Sequence, residues 1–348
     1  MAAGAGGFLL AAPTGAAASK VASASAGPRM IRARRPPARA RPGGGDGRRA
    51  EWTAKTLMKL ATYKDGSRDG QLVLVSRDLT TAHYATGIAS RLQQALDDWN
   101  FIAPQLQDLY EALNAGKARH PFPFDPAQCL APLPRAYQRL EAGDWMDGPI
   151  PMLSSAASAP LLGARSPIPA SITDSRAGLA VIIGDVPPGA SPEQGQDAIR
   201  LMTLIHRLDI ANDMQTSIGV SSTAALGPTA VTPDELGAAW RDARVHLNLS
   251  LTVNGQLTRS IKASDMRWSF GEFIAAATGE MLPLATGAIV GSGVIGKSDD
   301  LESDLEYVAD SPRKDLPPDW LRTGDIVRLE MLGPDGQSLF GAIEQAVE

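Results

Sequence analysis

GLAVIIGDVPPGASPEQ, residues 178–194, carries the pattern on which the fold turns. GLAVIIGDV, residues 178–186, reads as a continuous apolar strand ending in a turn. Gly184, Asp185 and two prolines then mark a turn. Ser191-Pro192-Glu193-Gln194 is a capping box with proline at the first helical position. The expected helix runs on through Ile199, Met202, Leu204 and Ile205.

Toward the C-terminus, Thr232-Pro233-Asp234-Glu235 repeats the capping pattern for a short helix ending near Trp240. VHLNLSLTVNGQLT, residues 245–258, alternates in period two, with Asn254-Gly255 as a type I′ hairpin turn. FGEFIAAAT (270–278) is a short helix, and GAIVGSGVIG (287–296) is a strand with a glycine-rich end. DIVRLEML and SLFGAIEQ flank Gly333-Pro334-Asp335-Gly336 as a last hairpin.

Toward the N-terminus, residues 140–175 show little periodicity, and HPFPFDPAQCLAPLPRAYQ (120–138) reads as an extended linker. Before it, Pro104 opens a predicted helix with Leu106, Leu109, Tyr110 and Leu113 inward and Gly116 as its stop. Ile88, Leu92, Leu96 and Trp99 share the face of an earlier helix. LATY and QLVLVS flank KDGSRDG as a hairpin. Many strands with a few short helices make the chain α+β and strand-dominated. Three segments are expected: residues 1–57, a small N-terminal α/β domain over 58–133, and a larger domain over 134–346.

Residues 1–57 are Ala, Gly, Pro and Arg with few large apolar side chains, a composition that predicts disorder. They suit a transit peptide, a basic interaction arm, or an over-called start upstream of Met58; the abrupt onset of pattern at Met58 favours the last. This segment has net charge +8 in a chain of −5, leaving −13 for the remainder. An acidic body argues against nucleic acid as a partner. No run of eighteen apolar residues spans a membrane, and the expected location is cytoplasmic. The single cysteine, Cys129, excludes an internal disulfide and a Cys-rich zinc site, and reads as a buried apolar residue.

The pieces occur in a familiar order. MKLATYKDGSRDGQLVLVSRD, LQQALDDWN and APLPRAYQ resemble the N-terminal domain of the longer bacterial fumarylacetoacetate hydrolase family proteins. AVIIGDVPPGASPEQ, P-x-AVTPDELG-x-AWRD, NG, FG-x-FIA, IVGSG and TGD-x-VRLEML are similar to their C-terminal domain. The resemblance implies a mixed β-roll, a homodimer, and metal-assisted hydrolysis of a carbon–carbon bond in β-diketo acids or acylpyruvates. It also implies Mg²⁺ or Ca²⁺ held by carboxylates, a His–Glu pair activating water, and a lysine stabilising the oxyanion.

Several matching positions depart from that pattern. Arg176 and Gly178 stand at the family's paired Glu-x-Glu ligands, Arg207 at a further aspartate, Ser221 near its lysine and Val294 at its threonine. After Gln138 a stretch carrying an early acidic ligand and the water-activating histidine is shortened to RLEAG. A guanidinium adds positive charge where a cation needs negative charge. No metal or other cofactor is therefore expected, and no catalytic residue is assigned.

The expected substrate pocket comprises Arg176, Arg207, Ser221, Gly291, Ser292 and Gly293. Gly291-Ser292-Gly293 lacks the full G-x-S-x-G elbow, so Ser292 is not expected to be a nucleophile. Asp209 and Asp213 would share a face if their helix continued, and otherwise are a solvated helix end. Asp174 lies near them. Asp185 reads as a turn residue and Asp299–Glu306 as a solvated acidic loop. His206 beside Arg207 reads as a helix-surface pair, His246 as facing solvent or a polar sheet face, and Lys262 and Arg267 as surface charge. Three functions follow: a metal-less homologue acting by binding, a hydrolase with displaced ligands, or a metal-free enzyme holding a small keto acid through Arg176 or Arg207.

Overall fold

A computed structural model describes residues 55–142, 150–156, 161–169, 172–210, 222–279, 282–293, 295 and 321–348, with backbone alone for 172–174, 209–210 and 222. The described residues belong to one compact unit, Thr53–Glu348. Nearly all of the basic extension lies outside them.

The chain opens with an antiparallel meander of β1 (Lys59–Tyr63), β2 (Gln71–Val75) and β3 (Thr81–Tyr84). Helix α1 (Leu92–Asp97) leads into α2 (Trp99–Asn114), and Leu92, Leu96, Ile102, Leu106 and Tyr110 share a core with Leu60, Leu72 and Leu74. Pro104 lies inside α2 rather than at its start. It is exposed, and its missing N–H leaves the Asn100 carbonyl without an intrahelical donor. Strand β4 (Phe122–Pro123) pairs with β3. The Pro-rich stretch read as a linker thus packs on the sheet: Cys129 bridges to Tyr63, whose ring stacks on Phe124.

Next come β5 (Arg139–Ala142), β6 (Leu153–Ser155), β7 (Ile172–Ile183), α3 (Pro192–Asp197), β8 (Ile199–Ile210), β9 (Ser222–Leu226) and β10 (Ala230–Val231). They are followed by β11 (Trp240–Arg241), β12 (Arg244–Val245), β13 (Asn248–Val253), β14 (Gln256–Lys262), α4 (Phe270–Thr278), β15 (Ile289–Gly291), β16 (Ile326–Met331) and β17 (Ile343–Ala346). The large sheet runs β4-β3-β2-β1-β10-β8-β7-β15-β5-β6, with β9 also on β8. Leu60 pairs with Ala230, so the meander is continuous with the central strands. β5 and β15 run parallel in this otherwise antiparallel, mixed sheet. A second sheet runs β14-β13-β16-β17.

The main correction concerns residues 199–210. The capping box at Ser191 and Gln194 forms as expected, but α3 ends at Asp197 and the chain turns into β8. Leu204 and Leu208 face one core, with the second sheet; Leu201 and Ile205 face the other, with the helices. A segment buried on both faces has no polar side to show as a surface helix, and a continuous apolar run does not separate strand from helix. Burying such a leucine contributes roughly 2 kcal/mol. Thr232 also departs from the expected cap. Its hydroxyl accepts from the Met58 N–H at 3.0 Å, and Pro233–Ala239 is a 3₁₀ segment.

Other local signals hold. Ser269 and Glu272 form a second capping box at α4. Asn254 and Gly255 both take positive φ, 52° and 78°, as a type I′ turn requires. Among the described residues no helix is long and apolar enough to cross a membrane.

Candidate functional site

The site face lies where β5, β15, β7 and β8 run side by side. Strand alternation puts Arg176, Gly178 and Ala180 of β7 on one face and Ser175, Ala177 and Leu179 on the other. Register pairs Arg176 with Arg207 and Gly178 with Ile205. The two arginines are thus direct cross-strand neighbours, both half-buried and both engaged within the protein. Cβ atoms at such positions lie about 5 Å apart, where like charges oppose pairing.

Gly178 has no room for a side chain. A Cβ there would stand 2.8 Å from Ser292 Oγ, 3.2 Å from the Gly293 carbonyl oxygen and 3.4 Å from Ile205 Cγ2. Ser292 is buried; its hydroxyl accepts from the Leu179 N–H at 3.1 Å and donates to the Gly293 carbonyl at 3.0 Å. Both of these contacts are to backbone. Gly293 takes φ +61°, and a Cβ on it would collide with the Ala142 carbonyl.

Gly291 reveals a residue that sequence reasoning passed over. The Glu141 carboxylate occupies the place where a Gly291 Cβ would stand, and Glu141 is aligned with Gly291 across the parallel β5–β15 pair. Glu141 comes from the RLEAG remnant, so that remnant keeps one buried acid beside the site. Arg139, two residues back on the same face of β5, lies 3.6 Å from it, and both side chains are about nineteen-twentieths buried. A buried acid in a short, irregular-looking segment left no periodic signal in the sequence.

The opposite face of β7 and β8 carries a buried polar chain. His206 is no helix-surface residue: it is fully buried in β8, flanked by Ala177 and Ala225 on the neighbouring strands. Its Nε2 accepts from Ser175 Oγ at 2.6 Å and its Nδ1 donates to Gln345 Oε1 at 2.8 Å. Gln345 Nε2 donates to the Ser166 carbonyl at 2.7 Å, which sets the amide orientation and hence the imidazole tautomer. Burial pushes the His206 imidazole down to about 4, a shift that the Gln345 contact partly opposes.

The other expected residues do not join this face. Ser221, Val294, Asp213 and the loop 299–306 lie outside the described residues, and Asp174 and Asp209 have backbone positions alone, in strands rather than in a helix. Asp185 accepts from the Thr286 N–H and hydroxyl, each at 2.9 Å, as a turn residue. His246 is half-buried with Nε2 shielded from solvent, which leaves the polar-face alternative. Lys262 sits 3.6 Å from Asp265 on the surface, and the Arg267 guanidinium lies 5.5 Å from the Trp268 ring centre. Cys129 is buried, its thiol pushed up to about 12 chiefly by burial. Among the described residues no three His, Cys, Asp or Glu side chains converge.

Comparison with known proteins adds the following. Residues 58–135 match the model of fumarylacetoacetase N-terminal domain 2, and residues 135–348 that of the fumarylacetoacetate (FAA) hydrolase C-terminal domain. Maleylpyruvate hydrolase from Sphingobium sp. SYK-6, solved with manganese(II) and pyruvate, superposes with TM-score 0.58 at 17% identity, covering 83% of this chain and 98% of that one. Fumarylacetoacetate hydrolase from Exiguobacterium antarcticum gives 0.57 at 18%, covering 84% and 99%. The 2-hydroxyhepta-2,4-diene-1,7-dioate isomerase from Mycobacterium marinum gives 0.53 at 18%, covering 83% and 98%. No curated protein sequence matches the chain.

Proposed function

This chain belongs to the fumarylacetoacetate hydrolase family, and from that premise we propose that it is a metal-less member, without the family's metal-assisted carbon–carbon hydrolysis, that binds a small keto acid or related carboxylate. One observation carries the reading. Where the resemblance calls for paired carboxylates on one strand, Arg176 presents a cation, and residue 178 is a glycine whose side-chain space Ser292 Oγ fills. Arg207, opposite Arg176, adds a second cation. Among the described residues, the side chains on this face do not fit a divalent ion: a guanidinium donates and never ligates, and Glu141 is balanced by Arg139 at 3.6 Å.

The same substitutions support the binding half of the proposal. Two guanidinium groups across one strand pair suit a carboxylate, which each can hold in a forked, charge-assisted contact. A second reading rests on this arginine pair. Two fixed cations beside a keto acid would stabilise an enolate and so promote proton exchange next to the ketone. The proposal further places the protein in the cytoplasm as a homodimer, with no nucleic acid and no membrane partner.

The test combines thermal unfolding with ligand titration of the full chain. Mg²⁺, Ca²⁺ and Mn²⁺ at millimolar concentration are expected to leave Tm unchanged, and acylpyruvate cleavage to be absent. Pyruvate is expected to bind. A real metal site would raise stability by about 2.7 kcal/mol at a hundredfold excess over Kd, so a rise of several degrees with any of these ions overturns the metal-less reading. Exchange of the pyruvate methyl protons with D₂O, followed by NMR, separates an enolising enzyme from a binding protein.

A further inference from the structure

We propose that Lys59 makes the joint between the two matched domains responsive to protons, so that the connection 332–342 opens from β1 more readily while Lys59 carries charge. The placement is uncommon for a lysine. β1 opens the domain matched over 58–135, and Lys59 pairs there with Val231 of β10, in the domain matched over 135–348. The Lys59 side chain is almost wholly buried, and its Nζ donates to the Leu339 carbonyl at 2.7 Å and to that of Ser338 at 3.4 Å. Both acceptors belong to the hairpin connection between β16 and β17. Two neutral carbonyls replace only part of the hydration that a buried ammonium gives up.

Ionisable groups face the joint from each element around it. Glu235, in the 3₁₀ segment and almost wholly buried, attracts the Lys59 cation. Its Oε2 lies 3.5 Å from Nε of Arg77, which follows β2 and repels Lys59. Asp335 in the hairpin turn and Asp78 beside Arg77 add weaker attraction, and Tyr110 of α2 faces Glu235. Burial outweighs them and holds Lys59 down from 10.5 to about 8. Opening the connection returns the ammonium to water and to its ordinary value. Above about 8, and up to 10.5, the open form keeps the proton and the closed form does not, so closure gains as pH rises through that window. Below it both forms are charged, and the cost of burying the cation is present in full. The connection is also tied to the site face. Thr229 Oγ1 donates to the Phe340 carbonyl, and Thr203 Oγ1, on β8, donates to the Thr229 carbonyl, each at 2.8 Å, with both threonines fully buried.

Amide hydrogen exchange of the full chain at pH 7 and pH 9, corrected for the intrinsic effect of pH on exchange, tests this. The Leu339 N–H, bonded to the Met331 carbonyl, and the Thr229 N–H, bonded to that of Phe340, report on the connection. The Phe273 N–H, in the first turn of α4, is the control. In wild type the two reporting amides should gain roughly tenfold in protection between pH 7 and 9, the ratio given by 10.5 in the open form and about 8 in the closed one. The control should gain none. Lys59→Met should abolish the gain. Glu235→Gln withdraws the attraction that helps to hold the Lys59 proton, so the gain should begin at lower pH. Flat protection in wild type, or a gain that survives Lys59→Met, overturns the proposal. An equal gain at Phe273 also overturns it, because the effect then belongs to global unfolding and not to this joint. Should Lys59→Met fail to fold, an unmoved onset in Glu235→Gln overturns it alone.

Discussion

Acidification from pH 7.5 to 4.5 should destabilise this protein through His206, by an amount the structure sets. The imidazole is fully buried, accepts from Ser175 at 2.6 Å and donates to Gln345 at 2.8 Å, an arrangement that only the neutral ring satisfies. A free imidazole titrates near 6.5, and this one is pushed down to about 4 by burial. Between those values the unfolded chain binds the proton and the native one does not, so stability rises with pH in that window. The contribution is complete above pH 6.5 and is lost progressively as pH falls toward 4. Converted at 1.36 kcal/mol per pH unit, it amounts to about 3 kcal/mol, a large share of a typical folding free energy. Urea unfolding at pH 7.5, 6.5, 5.5 and 4.5 measures it. Carboxylates also titrate at the acid end, so the comparison is His206→Gln, whose amide can accept from Ser175 and donate to Gln345 without titrating. The gap between wild type and His206→Gln should narrow by roughly 2 kcal/mol between pH 6.5 and 4.5. Parallel profiles, or an NMR titration placing His206 near 6.5, would refute the assignment of a buried neutral ring.

Three further outcomes follow. Gly178→Ala should cost about 1–3 kcal/mol in urea unfolding, because its Cβ would stand 2.8 Å from Ser292 Oγ, and Ser292→Gly in the same chain should recover part of that loss; additive costs would show that the two do not collide. Ser269→Ala removes the hydroxyl that accepts from the Glu272 N–H at 3.2 Å and should cost about 1 kcal/mol by the same assay. Lys59, buried and donating to the Leu339 carbonyl at 2.7 Å, is pushed down to about 8 chiefly by burial; below that value its charge opposes folding, so wild-type stability should rise between pH 8 and 10 relative to Lys59→Met.

Local chemistry was legible wherever one or two residues dictate a backbone geometry. Asn254-Gly255 demanded a type I′ turn, and the Ser191–Gln194 box marked a helix start. The paired apolar runs after Met58 specified a hairpin for the same reason: alternation and turn chemistry act over a few residues. The ordered series of such signals also carried the family resemblance, and with it the absence of acids at positions 176, 178 and 207.

What followed the helix start at Ser191 was decided elsewhere. Residues 199–210 are a strand because β7, β9 and β10 offer backbone partners and two cores cover its faces, and none of those partners lies within the segment itself. The roles of His206 and Glu141 depend on that outcome. As a helix, residues 199–210 would have left His206 beside Arg207 on the surface. As a strand, they put the two on opposite faces, one sealed against Gln345 and one beside Arg176. Glu141 became visible only when Gly291, 150 residues later in the chain, was set beside it. The sequence by itself determined which residues stand at positions 176, 178 and 207. Only the tertiary structure decided which side chains meet, because strand pairing joins residues that no local rule relates.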